Sequence, residues 1–324
     1  MSGRHEKEKQ FETRAINKLK NAPKVLTEYY YSLIGSGKSY ATTYNYVNYI
    51  MSFLEFTFGN NYHDDFYLNV KAVDINKYIT SLRTKEVNGE VKRTSDSIKT
   101  VQWSALNSFF QFLVPEHIED NPVANTTRPK MRDNPSVTYL TKKEIAKMLN
   151  NVEAKASDIL KNRDLCLLKL GFTTGLRASA IVQIDIDDID FTNNQIKVTE
   201  KGDYDNYIMF GDNMKQQLEL VLQDRKKYFG DSSSKALFLS KDGNRITTMT
   251  LGRIVDKYAK GATDKKVTPH VMRHSCATNL YEKTGDIYLC AKQLNHKNVA
   301  TTQRYAEISK QKQKEAANIL DSLI

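Results

Sequence analysis

The sequence predicts a mainly α chain of two domains: an all-helical first domain, then an α+β domain with a small antiparallel β-sheet. Three observations lead there. Apolar residues recur at helical spacing through most of the 324 residues. Residues 121–138 contain Asn121-Pro122, Arg128-Pro129 and Asn134-Pro135. Each proline disfavours helix at the residue before it, so a domain linker is expected there. Strand-like runs occur only beyond it, at 189–191, 195–198 and 207–210.

Residues 1–20 are polar and charged and read as an N-terminal extension, disordered or a frayed helix. The helical domain spans 21–120. Val25, Leu26, Tyr29, Tyr30 and Leu33 form its first apolar stripe, broken at Gly35-Ser36-Gly37. Tyr40, Tyr44, Val47, Ile50, Met51 and Leu54 form the second. A third helix is expected over about 72–83, then a loop through Asn88-Gly89. Ser95 or Ser97 can cap a long fourth helix, which Pro115 ends. No strand signal is read before about residue 130.

The second domain spans 139–308. Thr141 and Glu144 make a capping box. An apolar helix over Leu165–Phe172 ends near Gly175. The last two strand runs flank Glu200-Lys201-Gly202-Asp203, a hairpin turn with Lys201 at its tip. Thr268 is placed to cap a helix that has Pro269 at its first position. Residues 309–324 form a tail with Ala316, Ile319, Leu320 and Leu323 at helical spacing.

The net charge of +10 favours a polyanionic partner. Three cysteines, an odd number and widely spaced, fit neither a disulfide framework nor a zinc pattern. They read as buried free thiols in a reducing compartment. No apolar run approaches the roughly 18 residues of a membrane span, and Met1–Gln10 has no apolar signal core. A cytoplasmic location without membrane attachment is expected. Gly35-Ser-Gly-Lys38-Ser39 is close to a phosphate-binding loop, but Ser32 stands where that pattern needs glycine. Helical flanks make it an inter-helix turn.

The chemistry gathers near the end. His270, Arg273, His296, Arg304 and Tyr305 are residue types able to act on a phosphodiester, and they fall within one short stretch. His270 and Arg273, three apart at the start of a helix, put an imidazole and a guanidinium at a positive helix end, where anions bind. Thr174-Gly-Leu-Arg177 places an arginine just past a glycine turn, and a guanidinium fork matches phosphate oxygens. Taken alone, each has a plainer reading. Gly175 would be a helix cap, His296 a structural histidine, and Tyr305 one tyrosine among 18.

Together these residues resemble the tyrosine recombinase (phage integrase-like) family, with an Xer-like two-domain layout. The resemblance rests on Thr174-Gly-Leu-Arg177, Lys201-Gly202, His270-Val-Met-Arg273-His274, Leu294-Asn-His296 and Thr301-Thr-Gln-Arg-Tyr305, in that order. It covers nearly the whole chain. The first half looks like the family's helical core-binding domain, most of all over Ser97–Leu113. The resemblance implies that Tyr305 attacks DNA to form a 3′-phosphotyrosyl link. Arg177 and Arg273 would clamp the non-bridging oxygens and His296 would donate to the developing charge. His270 would accept the tyrosine proton and Lys201 would protonate the leaving 5′ oxygen.

No cofactor and no metal site are implied, so activity in EDTA is expected. Double-stranded DNA is the implied partner, held by a homotetramer on paired sites through a Holliday junction. The tail helix would dock on a neighbouring subunit, and an accessory DNA-binding factor is a further partner. Lys38, Tyr44, Lys92, Arg93, Lys99, Gln102, Arg128 and Lys130 are candidate DNA contacts, most of them to phosphate. Two positions depart from the family. Ala180 stands where an acidic residue is common, which predicts a looser Arg177. Asn295 stands where glycine precedes the histidine, which predicts a slightly different turn. The departures favour integration or excision of a mobile element. The space before residue 20, too short for an added arm-binding domain, favours Xer-type dimer resolution. A type IB topoisomerase-like enzyme and a non-cutting DNA-binding protein on the same fold are the further alternatives.

Overall fold

The computed structural model describes residues 3–59, 62–87, 90–94, 96–130, 137–199, 205–230 and 232–295, with Thr302 and Asn318. The chain divides into two compact units, Met1–Pro135 and Ser136–Ile324. It is mostly helical, with a small antiparallel sheet in the second unit.

The first unit contains α1 (Gly3–Leu19), α2 (Lys24–Gly35), α3 (Tyr40–Phe58), α4 (Ala72–Ser81), β1 (Thr84–Val87), β2 (Glu90–Arg93) and α5 (Asp96–Leu113). Residues 3–19 are an ordered helix rather than a loose extension. Phe11, Ala15 and Leu19 recur every four residues, so they share one face. Ala15 and Leu19 are buried, and the Phe11 ring lies 5.8 Å from that of Tyr44 on α3. Tertiary burial decides the helix there, where charge density alone argued for disorder.

The first apolar stripe is buried on α2 as expected. The turn after it is an ordinary helix exchange. Ser36, Gly37 and Lys38 donate their amides to Ser32, Ile34 and Leu33 carbonyls, with Gly37 at φ 81°. Ser39 caps α3 by accepting from Thr42 N. The amides of 36–38 therefore close α2 and form no phosphate cradle.

The core of this unit is aromatic. Phe109 on α5 stacks on Phe66 at 6.1 Å and meets Tyr29 edge-on at 5.2 Å, while Phe53 packs edge-on against Tyr78 and Phe110. Such pairs add about 0.5–1.5 kcal/mol each beyond area burial.

Two findings differ from the sequence reading. A hairpin, β1 paired antiparallel with β2, stands where only a loop was expected, so this unit is not purely helical. Its strands carry Lys and Glu and lack clear apolar alternation. Residues 121–130 pack on the first unit instead of running free. The Asn121 side chain accepts from Val123 N, Val123 is fully buried, Trp103 Nε1 donates to Thr126 Oγ1 at 2.7 Å, and Thr100 Oγ1 donates to the Pro129 carbonyl at 3.1 Å.

The second unit contains α6 (Lys142–Lys155), α7 (Asp158–Thr174), α8 (Ala178–Gln183), β3 (Ile189–Asp190), β4 (Gln195–Thr199), β5 (Asp205–Met209), α9 (Asp212–Phe229), α10 (Thr248–Ala259), α11 (Pro269–Thr284) and α12 (Ile287–Gln293). The sheet runs β3-β4-β5, all antiparallel, with Ile196 opposite Ile208 and both buried. The central helix is α7, packed against α6, α9 and α11. Its Gly171 lies against Met272 of α11. A Cβ there would sit 1.9 Å from Met272 Cε, so a side chain at 171 would require the end of Met272 to move. All three cysteines are buried free thiols. Among the described residues no helix is long and apolar enough to cross a membrane.

α11 fastens the entry of this unit. Ser275 Oγ accepts from Leu140 N at 2.8 Å, and Asn279 Nδ2 donates to the Leu140 carbonyl at 3.0 Å. The Thr141–Glu144 capping box forms as expected. Glu144 also accepts from Thr263 Oγ1 at 2.6 Å and from Lys265 Nζ at 2.9 Å. Burial alone would raise its pKa. Hydrogen bonds from Thr263, Thr141 and Lys265 outweigh burial and lower it from 4.5 to about 2. A carboxyl whose folded-state pKa is depressed contributes stability that is full above its unfolded value and lost as pH falls towards the folded one. The wild type is therefore expected to melt above Glu144→Gln at pH 7. The gap should close as pH falls from about 4.5 to about 2. A gap constant with pH, read by circular dichroism, would exclude this role.

Candidate active site

The site is built on the turn between α7 and α8. Gly175 ends α7 in the left-handed conformation, φ 65°, which costs an L side chain roughly 1–2 kcal/mol. A Cβ would also meet Leu294 Cδ2 at 2.5 Å and Cys276 Sγ at 3.3 Å. Two residues on, Arg177 is the N-cap of α8. Its carbonyl accepts from Ala180 and Ile181 amides, and its side chain is exposed. Ala180 is buried in the core at the start of α8. The backbone of Arg177 is thus tied into the first turn of α8.

Arg273 binds this turn from the other side. Held on α11, 5% exposed, it donates from Nη1 to the Gly175 carbonyl and from Nη2 to the Leu294 carbonyl, both at 2.7 Å. One guanidinium therefore joins the Thr174–Arg177 stretch to the Leu294–His296 stretch. Two further side chains close the same helix end. Cys276 Sγ donates to the Thr173 carbonyl at 3.5 Å, and Gln293 Nε2 reaches the Thr173 and Thr174 carbonyls at 3.4 Å. Burial, with a smaller contribution from Cys290, raises the Cys276 thiol to about 12. It stays protonated and able to donate. Neither Cys276 nor Gln293 was singled out in the sequence. The one available signal was the i, i+3 spacing of Arg273 and Cys276 on α11.

His270 lies in the first turn of α11, exposed, next to Pro269 at N1, and Thr268 Oγ1 accepts from Val271 N. An exposed imidazole at the helix mouth and a buried guanidinium one turn deeper are brought together there. Asn295 stands at φ 50°. That is the left-handed region, where glycine is commonest. Asparagine tolerates that region better than most side chains. Lys201 belongs to the connection between β4 and β5, whose register closes at Thr199 opposite Asp205. Lys201, His296, Arg304 and Tyr305 lie outside the described residues, as does the tail apart from Asn318. Thr302, three residues before Tyr305, is helical and fully buried.

The candidate DNA contacts of the first unit separate by burial. Lys38, Arg128 and Lys130 are exposed. Lys99 is ion-paired with Asp96 at 3.0 Å. Tyr44 is half-buried against Phe11. Gln102 is only 8% exposed. It is buried and accepts from the Tyr78 hydroxyl, which makes it part of the core rather than a groove contact. Lys92 and Arg93 lie on β2, and their side chains are outside the described residues.

A turn held by a buried arginine on its carbonyl side, with a second arginine exposed just beyond it, is built to receive an anion. In a basic, two-unit, mainly helical chain it suits a protein that handles a polyanion such as DNA. Residues 138–312 match the phage integrase family, more than half of the chain. The chain belongs to that family and is a tyrosine site-specific recombinase, an enzyme that breaks and rejoins DNA strands. It is 32% identical over 256 residues to tyrosine recombinase XerC of Oceanobacillus iheyensis, covering 76% of this chain and 80% of that one. Its fold is similar to XerH site-specific recombinase bound to palindromic difH substrate in a post-cleavage complex. The TM-score is 0.67 at 23% identity, over 87% of this chain and 80% of that one. It is likewise similar to the Tn1549 transposon integrase in complex with transposon right end DNA, with TM-score 0.66 at 21% identity, over 90% and 99% of the two chains.

Gly175→Ala tests the turn. The Cβ brings backbone strain and a clash with Leu294, and relief moves the start of α8 with Arg177. The variant is expected to melt about 2–8 °C below wild type and to cleave DNA more slowly where it is still folded. Wild-type melting and cleavage together would show that the turn tolerates a side chain.

Proposed function

We propose that this recombinase cuts duplex DNA by in-line attack of the Tyr305 hydroxyl oxygen on a backbone phosphorus. The new bond is a 3′-phosphotyrosyl ester, and the bond that breaks releases the 5′ oxygen. His270 takes the tyrosine proton and Lys201 supplies one to the departing oxygen, so charge and protons balance. Arg177, Arg273 and His296 donate to the phosphoryl oxygens as negative charge builds there. A phenol with pKa near 10 is a poor nucleophile at neutral pH without such help. The ester keeps the bond energy, so a 5′-hydroxyl from a partner strand reverses the step, and two exchanges pass through a Holliday junction. Paired sites then require four subunits, with the 309–324 helix docking on a neighbour.

One observation carries this reading. The Arg273 guanidinium bridges the Gly175 and Leu294 carbonyls, which supports a single centre built from separate stretches of chain. The test is a duplex nicked near the cleavage point, so that the released fragment diffuses away. Incubated with it in EDTA, the protein is expected to accumulate a covalent adduct on a denaturing gel. No adduct would leave only DNA binding and overturn the proposal.

For the biological role we propose integration or excision of a mobile element, on the strength of the Ala180 and Asn295 departures. Xer-type dimer resolution is the second reading and stands level with it. The XerC relative covers most of both chains. Footprinting and sequencing of bound DNA decides. Paired element ends favour the first, and a site at a replicon terminus favours the second.

A further inference from the structure

The carbonyls at the end of α7 are taken by side chains of α11 and α12. Cys276 Sγ donates to Thr173, Gln293 Nε2 to Thr173 and Thr174, and Arg273 Nη1 to Gly175. A helix ends in carbonyls without helical partners and in a partial negative charge, which draws cations. Arginines near such an end cap it readily, and Arg177 follows shortly after Thr174. Donors from α11 and α12 occupy the carbonyls that would otherwise compete for its guanidinium.

Gln293 is the half-buried member of this set, whereas Cys276 and Arg273 are buried. It stands on a platform fixed without it. Asp286 caps α12 by accepting from the Tyr288 and Leu289 amides at 2.8 and 2.9 Å, and Cys290, Ala291 and Leu294 are buried. The Gln293 amide nitrogen carries two hydrogens, and two successive carbonyls lie 3.4 Å from it. The reverse orientation would set Oε1 against both. Arg273 joins the Gly175 and Leu294 carbonyls. Gln293 joins the same two stretches one residue earlier in each, which closes a ring. One attachment leaves a pivot, and two fix the angle between the stretches.

We propose that Gln293 is a positioning residue for DNA cleavage. Its side-chain amide holds the end of α7 against α12 and so sets where the turn presents Arg177 to a phosphate. It acts through the turn, without touching the reacting atoms. This rests on the reading of Arg177 as a phosphate clamp.

Gln293→Leu keeps the size of the side chain and removes both donors. Its single-turnover rate of adduct formation on the nicked duplex is expected to fall about 3-fold to 10-fold, with DNA affinity and melting close to wild type. Gln293→Glu sets a carboxylate against the two carbonyls. Protonation returns one O–H donor, and a carboxyl at a helix C-terminus titrates above its usual value of about 4.3. The rate of the Glu variant relative to wild type is therefore expected to rise as pH falls from about 8 towards about 5, while the Leu ratio stays flat. A Leu variant with the wild-type rate, or one that slows only by unfolding, overturns the proposal. So does a Glu ratio that is flat with pH. Hydrogen exchange over residues 173–181 reads the turn without DNA. It should quicken in the Leu variant, and unchanged exchange also overturns the proposal. Quickened exchange beside a wild type that forms no adduct would place the failure in the cleavage reading, not in the hold on the turn.

Discussion

Tyr305→Phe is expected to bind duplex DNA as the wild type does and to leave no covalent adduct on a nicked substrate. The substitution removes one oxygen and keeps the ring, so folding and DNA contacts are spared. In the proposed mechanism that oxygen is the atom that bonds to phosphorus. Without it, arginines and histidines can still gather round the phosphate but cannot hold the cut end, and water cannot replace a tether that must later be reversed. Loss of an enzymatic nucleophile typically costs about 10⁴-fold or more in rate, beyond the range of a gel assay. An adduct of wild-type yield from the Phe variant would move the nucleophile elsewhere.

Arg273→Lys is expected to be destabilised as well as slow. The guanidinium makes two hydrogen bonds of 2.7 Å to carbonyls from different parts of the chain, and it is 5% exposed. An ammonium keeps the charge but is a single point, and it cannot span both oxygens in the fork geometry. Hydrogen bonds to a charged group contribute about 1.5–3 kcal/mol each. Losing one and straining the other costs about 3 kcal/mol, or a melting shift of about 6–12 °C for a unit of this size. Arg177 follows the released turn, so adduct formation should also slow at temperatures where the variant remains folded. A variant that melts with the wild type would show that Gly175 and Leu294 are held by something else. Melting curves and single-turnover adduct rates separate the two effects.

Much of this fold is legible in the residues, because its signals are local. The α2 and α3 stripes, the Thr141–Glu144 box, the Thr268–Pro269 helix start and the Gly175 cap each depend on neighbours within a few positions. What escaped depends on partners far away or on signals given too little weight. Residues 3–19 are a helix because α3 covers Ala15 and Leu19. Gln102 is polar by type and buried by circumstance, since Tyr78 supplies its partner. The hairpin had a usable signal in Asn88-Gly89 between Val87 and Val91, a dipeptide that favours hairpin turns, but charged strands concealed it. In the site, Arg177, His270 and Arg273 could be named from their motifs. That Arg273 holds the Arg177 turn could not, because nothing local to either residue records it.

The bond from Arg273 to Gly175 spans 98 positions, and those from α11 to Leu140 span 135 and 139. Contacts so distant in sequence form late, because the chain must close a long loop before they return any energy. The candidate site's turn therefore gets this clamp only once α11 has docked on α7. On the ribosome, a chain not yet extended through α11 has Gly175 and Arg177 without their clamp. The candidate site is therefore incomplete until almost the whole second unit has been made.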